Sequence, residues 1–210
     1  MSKKSQKHDN LTRAAKVMLR QTALRLLHDE TPVILETHGG RGDIWSSVYH
    51  DVDDGVVFEK DPEKADYLAV QRPTWAVYEA DVEIALGAGA GRSWTFNYLD
   101  VDPYGASWPA LRAFFGSERP FAPRMVVVIN DGLRFAACGG SAWRNEILAP
   151  FAARYGNHNI WRIYPDRIAP ELLAEAVAPA GYAVTHYDGY TTGVLGKMVH
   201  MLGVLERPTG

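Results

Sequence analysis

"VILETHGGRGDIW", residues 33 to 45, runs from an apolar stretch through an acidic residue into a glycine cluster. Pro32 and the glycines bound the apolar part, so it reads as a short buried strand ending at Glu36. Gly40 and Gly42 stand two apart, which allows tight turning and close approach of the backbone to a ligand. Residues 43 to 50 are compatible with a helix whose N-terminal amides face the same point. This succession of strand, glycine loop and helix predicts an open α/β sheet with a binding crevice beyond the strand ends.

The flanking sequence extends the pattern. Upstream, Leu11 to Leu27 carries apolar residues at helical spacing with Lys16, Arg20 and Arg25 between them, an amphipathic leading helix. Downstream, "GVVFEKD", "TWAVYEAD", "SWTFNYLDVDPYG" and "RMVVVIND" are strand-like. Residues 62 to 71 open with Pro62, which suits the first turn of a helix. Strands alternating with helices predict a parallel sheet covered on both faces. The end of the chain breaks this rhythm, because "GYAVTHYD" and "KMVHMLGVLER" are separated only by "GYTTGVLG". A parallel crossover needs a dozen or more residues, so these two strands are predicted to form an antiparallel hairpin at one sheet edge. Residues 131 to 164 exceed one helix and read as an elaboration on the substrate side.

The 210 residues, 47% hydrophobic, suffice for one domain, taken as residues 11 to 210 after a disordered tail over 1 to 10. Lys and Arg total 22 against 25 for Asp and Glu, so no global positive field points to a polyanion. Cys138 is the single cysteine, and no apolar run approaches the ~20 residues of a membrane span. With no signal-peptide core at the start, the expectation is a cytoplasmic protein with no membrane partner. His158, His186 and His200 lack metal-ligand spacing, and no metal is expected. The G-x-S-x-G turn of a hydrolase is missing as well.

Three carboxylates stand at three successive strand ends: Glu36, Glu59 and Asp81. Glu59 follows the glycine loop by about 20 residues, where a carboxylate accepts hydrogen bonds from vicinal ribose hydroxyls. Asp81 can accept from an adenine amino group, or cap a helix. A nicotinamide dinucleotide and S-adenosylmethionine both satisfy this pattern. The pyrophosphate of the first is repelled by Glu36, whereas the ammonium group of the second is attracted to it, so an oxidoreductase is disfavoured.

From about Pro32 to Arg207 the chain resembles the class I S-adenosylmethionine-dependent methyltransferases. In that family an acidic residue ends the first strand before a glycine-alternating loop, matched by Glu36, Gly40 and Gly42, with His38 in the place of the usual first glycine and Gly39 extra. The family's ribose and adenine acids match Glu59 and Asp81, and its antiparallel seventh strand matches "KMVHMLGVLER". The resemblance implies a three-layer Rossmann-like methyltransferase fold with a mostly parallel seven-stranded sheet, and S-adenosylmethionine as cofactor.

The fourth strand ends in "LDVDPYGASW". Asp102 and a neighbouring carbonyl can accept the protons of an exocyclic amine, while Tyr104 offers a ring on which a base stacks. The tetrad Asp102, Pro103, Tyr104, Gly105 is similar to the D-P-P-Y motif of amino methyltransferases, and closer to the D-P-F-G form of the tRNA guanine-N2 dimethyltransferases. The chain has neither the tRNA-binding domain nor the zinc-type cysteines of that group. "VVVINDG" is also similar to it and places Asp131 near the pocket, and Trp108 is close enough in sequence to Tyr104 to help stack a base. Arg112, Arg119, Arg124, Arg134, Arg144 and Arg154 form a phosphate-facing patch or a scattered set of solvated charges. The expectation is methyl transfer to an exocyclic nitrogen of a base in RNA or DNA. The alternatives are a small-molecule or protein nitrogen as acceptor, and a non-catalytic adenosyl-ligand-binding scaffold. The oligomeric state is not specified by the sequence.

Overall fold

The computed structural model describes residues 10–192 and 196–208. The tail expected over residues 1 to 10 lies almost wholly outside them, as does part of the last hairpin's connection. The leading helix α1 is Asn10–Arg25. Five strands then lie parallel: β1 Ile34–Glu36, β2 Gly55–Glu59, β3 Ala76–Glu79, β4 Tyr98–Val101 and β5 Arg124–Asp131. The last two strands are β6 Ala183–Thr192 and β7 Met198–Glu206. The sheet order is β3-β2-β1-β4-β5-β7-β6, with β7 antiparallel to both neighbours. The edge hairpin is as expected, but β6 runs further than the sequence reading drew it and takes in Gly189–Thr192. The order reverses beside β1, between its pairs with β2 and β4, so the crevice of an open α/β sheet lies where the glycine loop leaves β1.

Side-chain alternation sends each strand's residues to two cores. On one face Ile34, Val57, Tyr98, Val126 and Val128 meet Leu19, Ala23 and Leu27 at α1 and Leu68 of helix α2, Pro62–Gln71. On the other, Leu35, Phe58, Leu99, Val127 and Ile129 meet three helices: α3 Val82–Gly87, α4 Trp108–Phe115 and a later one, Ala169–Val177. Asp61 caps α2, and Pro62 takes the first turn as expected. The helix predicted over 43 to 50 runs over 43 to 49 and is widened into a π-type turn over Trp45–Tyr49.

The elaboration after β5 is a string of short helical turns with α5 Ala149–Tyr155 and α6 Ile160–Ile163 within it; Ala169–Val177 is thus α7. It is packed rather than splayed: Leu133, Ala137, Leu148, Phe151, Ile160 and Tyr164 are buried. Arg134 stacks 4.0 Å from the Trp161 ring and donates to the backbone carbonyls of Trp161 and Gly196. Among the described residues no helix is long and apolar enough to cross a membrane, and no group of three or more His, Cys, Asp or Glu could hold a metal.

Candidate functional site

The loop leaving β1 is shaped by two kinds of glycine. Gly40 and Gly42 have φ of +56° and +75°, the left-handed region that L side chains avoid. Gly39 has ordinary dihedrals but no room, since a Cβ there would lie 2.5 Å from Leu68 Cδ1 and 2.6 Å from Val57 Cγ2. The additional glycine therefore lets the loop lie flat on β2, where Gly39 N donates to Phe58 O at 2.9 Å. Glu59 clasps the loop from β2: Oε2 accepts from Gly40 N at 2.8 Å and Oε1 from Asp61 N at 2.9 Å. A carboxylate oxygen has two lone pairs, so these bonds leave Glu59 able to accept from a ligand.

His38 follows β1 directly. Burial lowers its pKa while Asp102, Glu59, Asp100 and Asp81, at or just past the ends of β4, β2 and β3, all pull it upward, so its ring lies within electrostatic reach of these carboxylates. Its Nδ1 is 2.8 Å from Thr37 Oγ1. Asp81 also caps α3, Oδ1 accepting from Glu83 N at 3.1 Å.

Glu36 is not a free charge. It is buried against Arg72, whose Nη1 donates to Oε2, and Arg72 is itself buried between the Trp45 and Trp75 rings, 5.2 and 5.1 Å from their centroids. Burial pushes the Glu36 carboxyl up from its ordinary value, and Arg72 opposes the rise. A neutralised Glu36 has lost most of its pull on an ammonium group, so the electrostatic reason for setting dinucleotides aside is weaker than the sequence suggested.

Beyond β4 stands a second ionic group. Asp100 and Asp102 lie two apart on one face of the chain, and both meet α1. Arg20 donates to Asp100 at 2.6 and 2.7 Å and to Asp102 at 3.2 Å, while Lys16 Nζ lies 2.8 and 3.0 Å from the two Asp102 oxygens. Tyr49 donates to Asp100 at 2.8 Å. These cations hold the Asp102 carboxyl below its ordinary range despite burial. The sequence reading placed Lys16 and Arg20 only on the polar face of the leading helix, and did not single out Asp100, Tyr49 or Arg72. The alternation in "LDVD" was the one signal that could have paired Asp100 with Asp102.

Tyr104 is fully exposed beside Asp102, and Gly105 O accepts from Gly132 N at 2.9 Å, tying the Asp102 turn to the end of β5. Two expected substrate contacts face inward instead. Trp108 is wholly buried on the core side of α4, with Nε1 donating to Tyr164 Oη at 2.9 Å, so it offers no face to a base. Asp131 is also buried; it accepts from Ser107 N at 3.1 Å and from Tyr164 Oη, and burial pushes its carboxyl up to about 6. The arginines do not gather into one patch. Arg124 opens β5 at the far end of the sheet and meets Glu206, Arg154 pairs with Glu171, and Arg119 lies over Phe114.

No protein-family model matches the chain, and no curated protein does. Solved structures do. Trm1 from Pyrococcus horikoshii, in complex with S-adenosyl-L-methionine, superposes with a TM-score of 0.62 over 92% of this chain at 11% identity. The chain spans about half of that protein, 54% of its length. TYW2 from M. jannaschii, in complex with AdoMet, gives a TM-score of 0.62 at 10% identity, covering 97% of this chain and 80% of the other. The N-methyltransferase NodS from Bradyrhizobium japonicum gives 0.59 at 10% identity, covering 96% and 99%. The seven-stranded mixed sheet is the Rossmann-like methyltransferase fold.

Proposed function

We propose that the protein is an S-adenosylmethionine-dependent methyltransferase acting on an exocyclic amino nitrogen of a nucleic-acid base. One observation carries the reading: Asp102 and the exposed Tyr104 stand at the end of β4, beside a glycine loop that Glu59 clasps and whose His38 lies within electrostatic reach of Asp81 and Asp100. The neighbours solved with the methyl donor support the choice of donor.

The residues fit that donor in part. Gly40 has open space where a Cβ would stand, Glu59 keeps acceptor capacity for ribose hydroxyls, and Asp81, capping α3 just past β3, is the residue that would meet the adenine amino group. Glu36, paired with Arg72, helps to build the loop rather than to bind the ammonium group. When bound, the donor supplies a methyl group on a sulfonium, which leaves as the sulfur takes back the bonding pair. The chain's own part is to orient the acceptor: Tyr104 gives the base plane a surface, and Asp102 accepts amino protons so that the nitrogen lone pair faces the methyl. Once the new N–C bond has formed the nitrogen is cationic and acidic and passes its proton to solvent water, so no strong base is required. Lys16, partly exposed on α1, must yield its hold on Asp102 for the amine to enter.

Calorimetric titration with S-adenosylmethionine, S-adenosylhomocysteine and NAD tests the donor. Micromolar binding of the first two without NAD supports it, and binding of NAD alone overturns it. For the acceptor, Asp102→Ala is expected to keep donor affinity while labelled-methyl transfer to tRNA or denatured DNA falls by at least about a hundredfold. Transfer to peptides or small amines alone would overturn the nucleic-acid acceptor.

A further inference from the structure

A polar chain crosses the last three strands toward Asp102. Register sets Asn130 on β5 opposite His200 on β7, and His200 opposite Tyr190 on β6, whose ring stacks on the imidazole at 5.0 Å. His200 Nδ1 lies 2.5 Å from Asn130 Oδ1, and Nε2 lies 2.5 Å from Thr192 Oγ1. Asn130 and His200 are both fully buried. Val101 pairs with Ile129, so the next residues of β4 and β5, Asp102 and Asn130, stand side by side. The Asn130 Nδ2 is buried without a formed hydrogen bond.

The orientation of the Asn130 amide is fixed from both ends. An amide oxygen toward Asp102 would set two acceptors against each other, so Nδ2 must face the carboxylate and Oδ1 must face His200. His200 Nδ1 must then donate. Burial lowers the His200 pKa to about 4, so the ring is neutral and Nε2 accepts from the Thr192 hydroxyl. We propose that Asn130 is a positioning residue for the Asp102 carboxylate, and that the carboxylate on one side and His200 on the other fix which way its amide points. The inference deepens the reading in which Asp102 holds the acceptor amine, and rests on it. An amide beside one Asp102 oxygen directs the other toward the incoming nitrogen. The charged and titratable groups around Asp102 are Arg20 and Lys16 from α1 and His38 from the glycine loop; Lys16, Arg20 and Asp102 also face His200.

Nuclear magnetic resonance of the full isotope-labelled chain tests this without an acceptor. The His200 nitrogens should show protonated Nδ1 and bare Nε2 throughout the neutral range. The Asp102 carboxyl midpoint should rise by about half a unit to one unit in Asn130→Ala. In Asp102→Ala, which removes the acceptor that Nδ2 must face, the single His200 tautomer should be lost. A His200 ring protonated on Nε2, or an Asp102 midpoint unmoved in Asn130→Ala, overturns the proposal. If Asn130→Ala does not fold, Asp102→Ala decides: unchanged His200 signals overturn the proposal. The Asp102→Ala transfer assay on tRNA and denatured DNA judges the underlying reading separately. Wild-type transfer there sinks the role of Asp102 while leaving the orientation of Asn130 as measured.

Discussion

Arg72 answers why a carboxylate ends β1. The pair is buried on both sides, and its Nε and Nη2 have no hydrogen-bond partner, so its stability rests on Glu36 and the two indole faces. Removing one member of such a pair leaves an uncompensated charge, at a cost of about 3–5 kcal/mol. Arg72→Met should therefore lower the urea midpoint strongly at pH 8. The loss should shrink toward pH 5, because Glu36 already has a raised pKa and can take up a proton to escape its charge. Adding Glu36→Gln to Arg72→Met should recover most of the loss at pH 8. An equal loss at both pH values would contradict this account. The sequence showed Glu36 and concealed Arg72, since the spacing between two charges along a chain says nothing of their distance across a sheet. Trp108 was misread for a related reason: its closeness to Tyr104 in sequence is real, but the first turn of α4 aims it into the core.

Secondary structure was the most legible layer. The short apolar runs, Pro62 at a first turn and the short link before β7 each have a local cause, so β1 to β5, α2 and the edge hairpin could be drawn in advance. The glycine loop was legible in composition but not in the division of labour among its glycines. Gly40→Ala has space and meets left-handed strain, costing about 1–2 kcal/mol, and Gly40→Asn should be milder because Asn tolerates that region. Gly39→Ala has no strain and meets Leu68 and Val57, costing about 1–3 kcal/mol, and Gly39→Asn should be worse. Thermal melts of the four variants check the crossing. Asn better than Ala at Gly39, or worse than Ala at Gly40, would mean that the loop relaxes.

At the scale of the whole molecule, two buried groups on opposite sides of β5 answer acid in opposite senses. Asp131 has a folded pKa of about 6, above its ordinary value, so its contribution is full below the unfolded pKa and is lost as pH rises through 6. His200 has a folded pKa of about 4, below its ordinary value, so its contribution is present at neutral pH and is lost as pH falls from 6.5 toward 4. Each amounts to roughly 3 kcal/mol at most, and over pH 4 to 6 they offset one another. Asp131→Asn should be more stable than wild type at pH 8 and lose that advantage by pH 4, as read by denaturation across the range. A constant difference would show that Asp131 does not titrate there. The position of β7 has a kinetic consequence as well. β6 precedes β7 in the chain yet, among the described residues, pairs with no other strand, so during synthesis β6 must wait without a ladder partner until the segment after it has slotted against β5. The sheet therefore closes out of sequence, and the same late event brings His200 to Asn130, so a nascent chain halted before β7 lacks both its outermost strand and the polar link to Asp102.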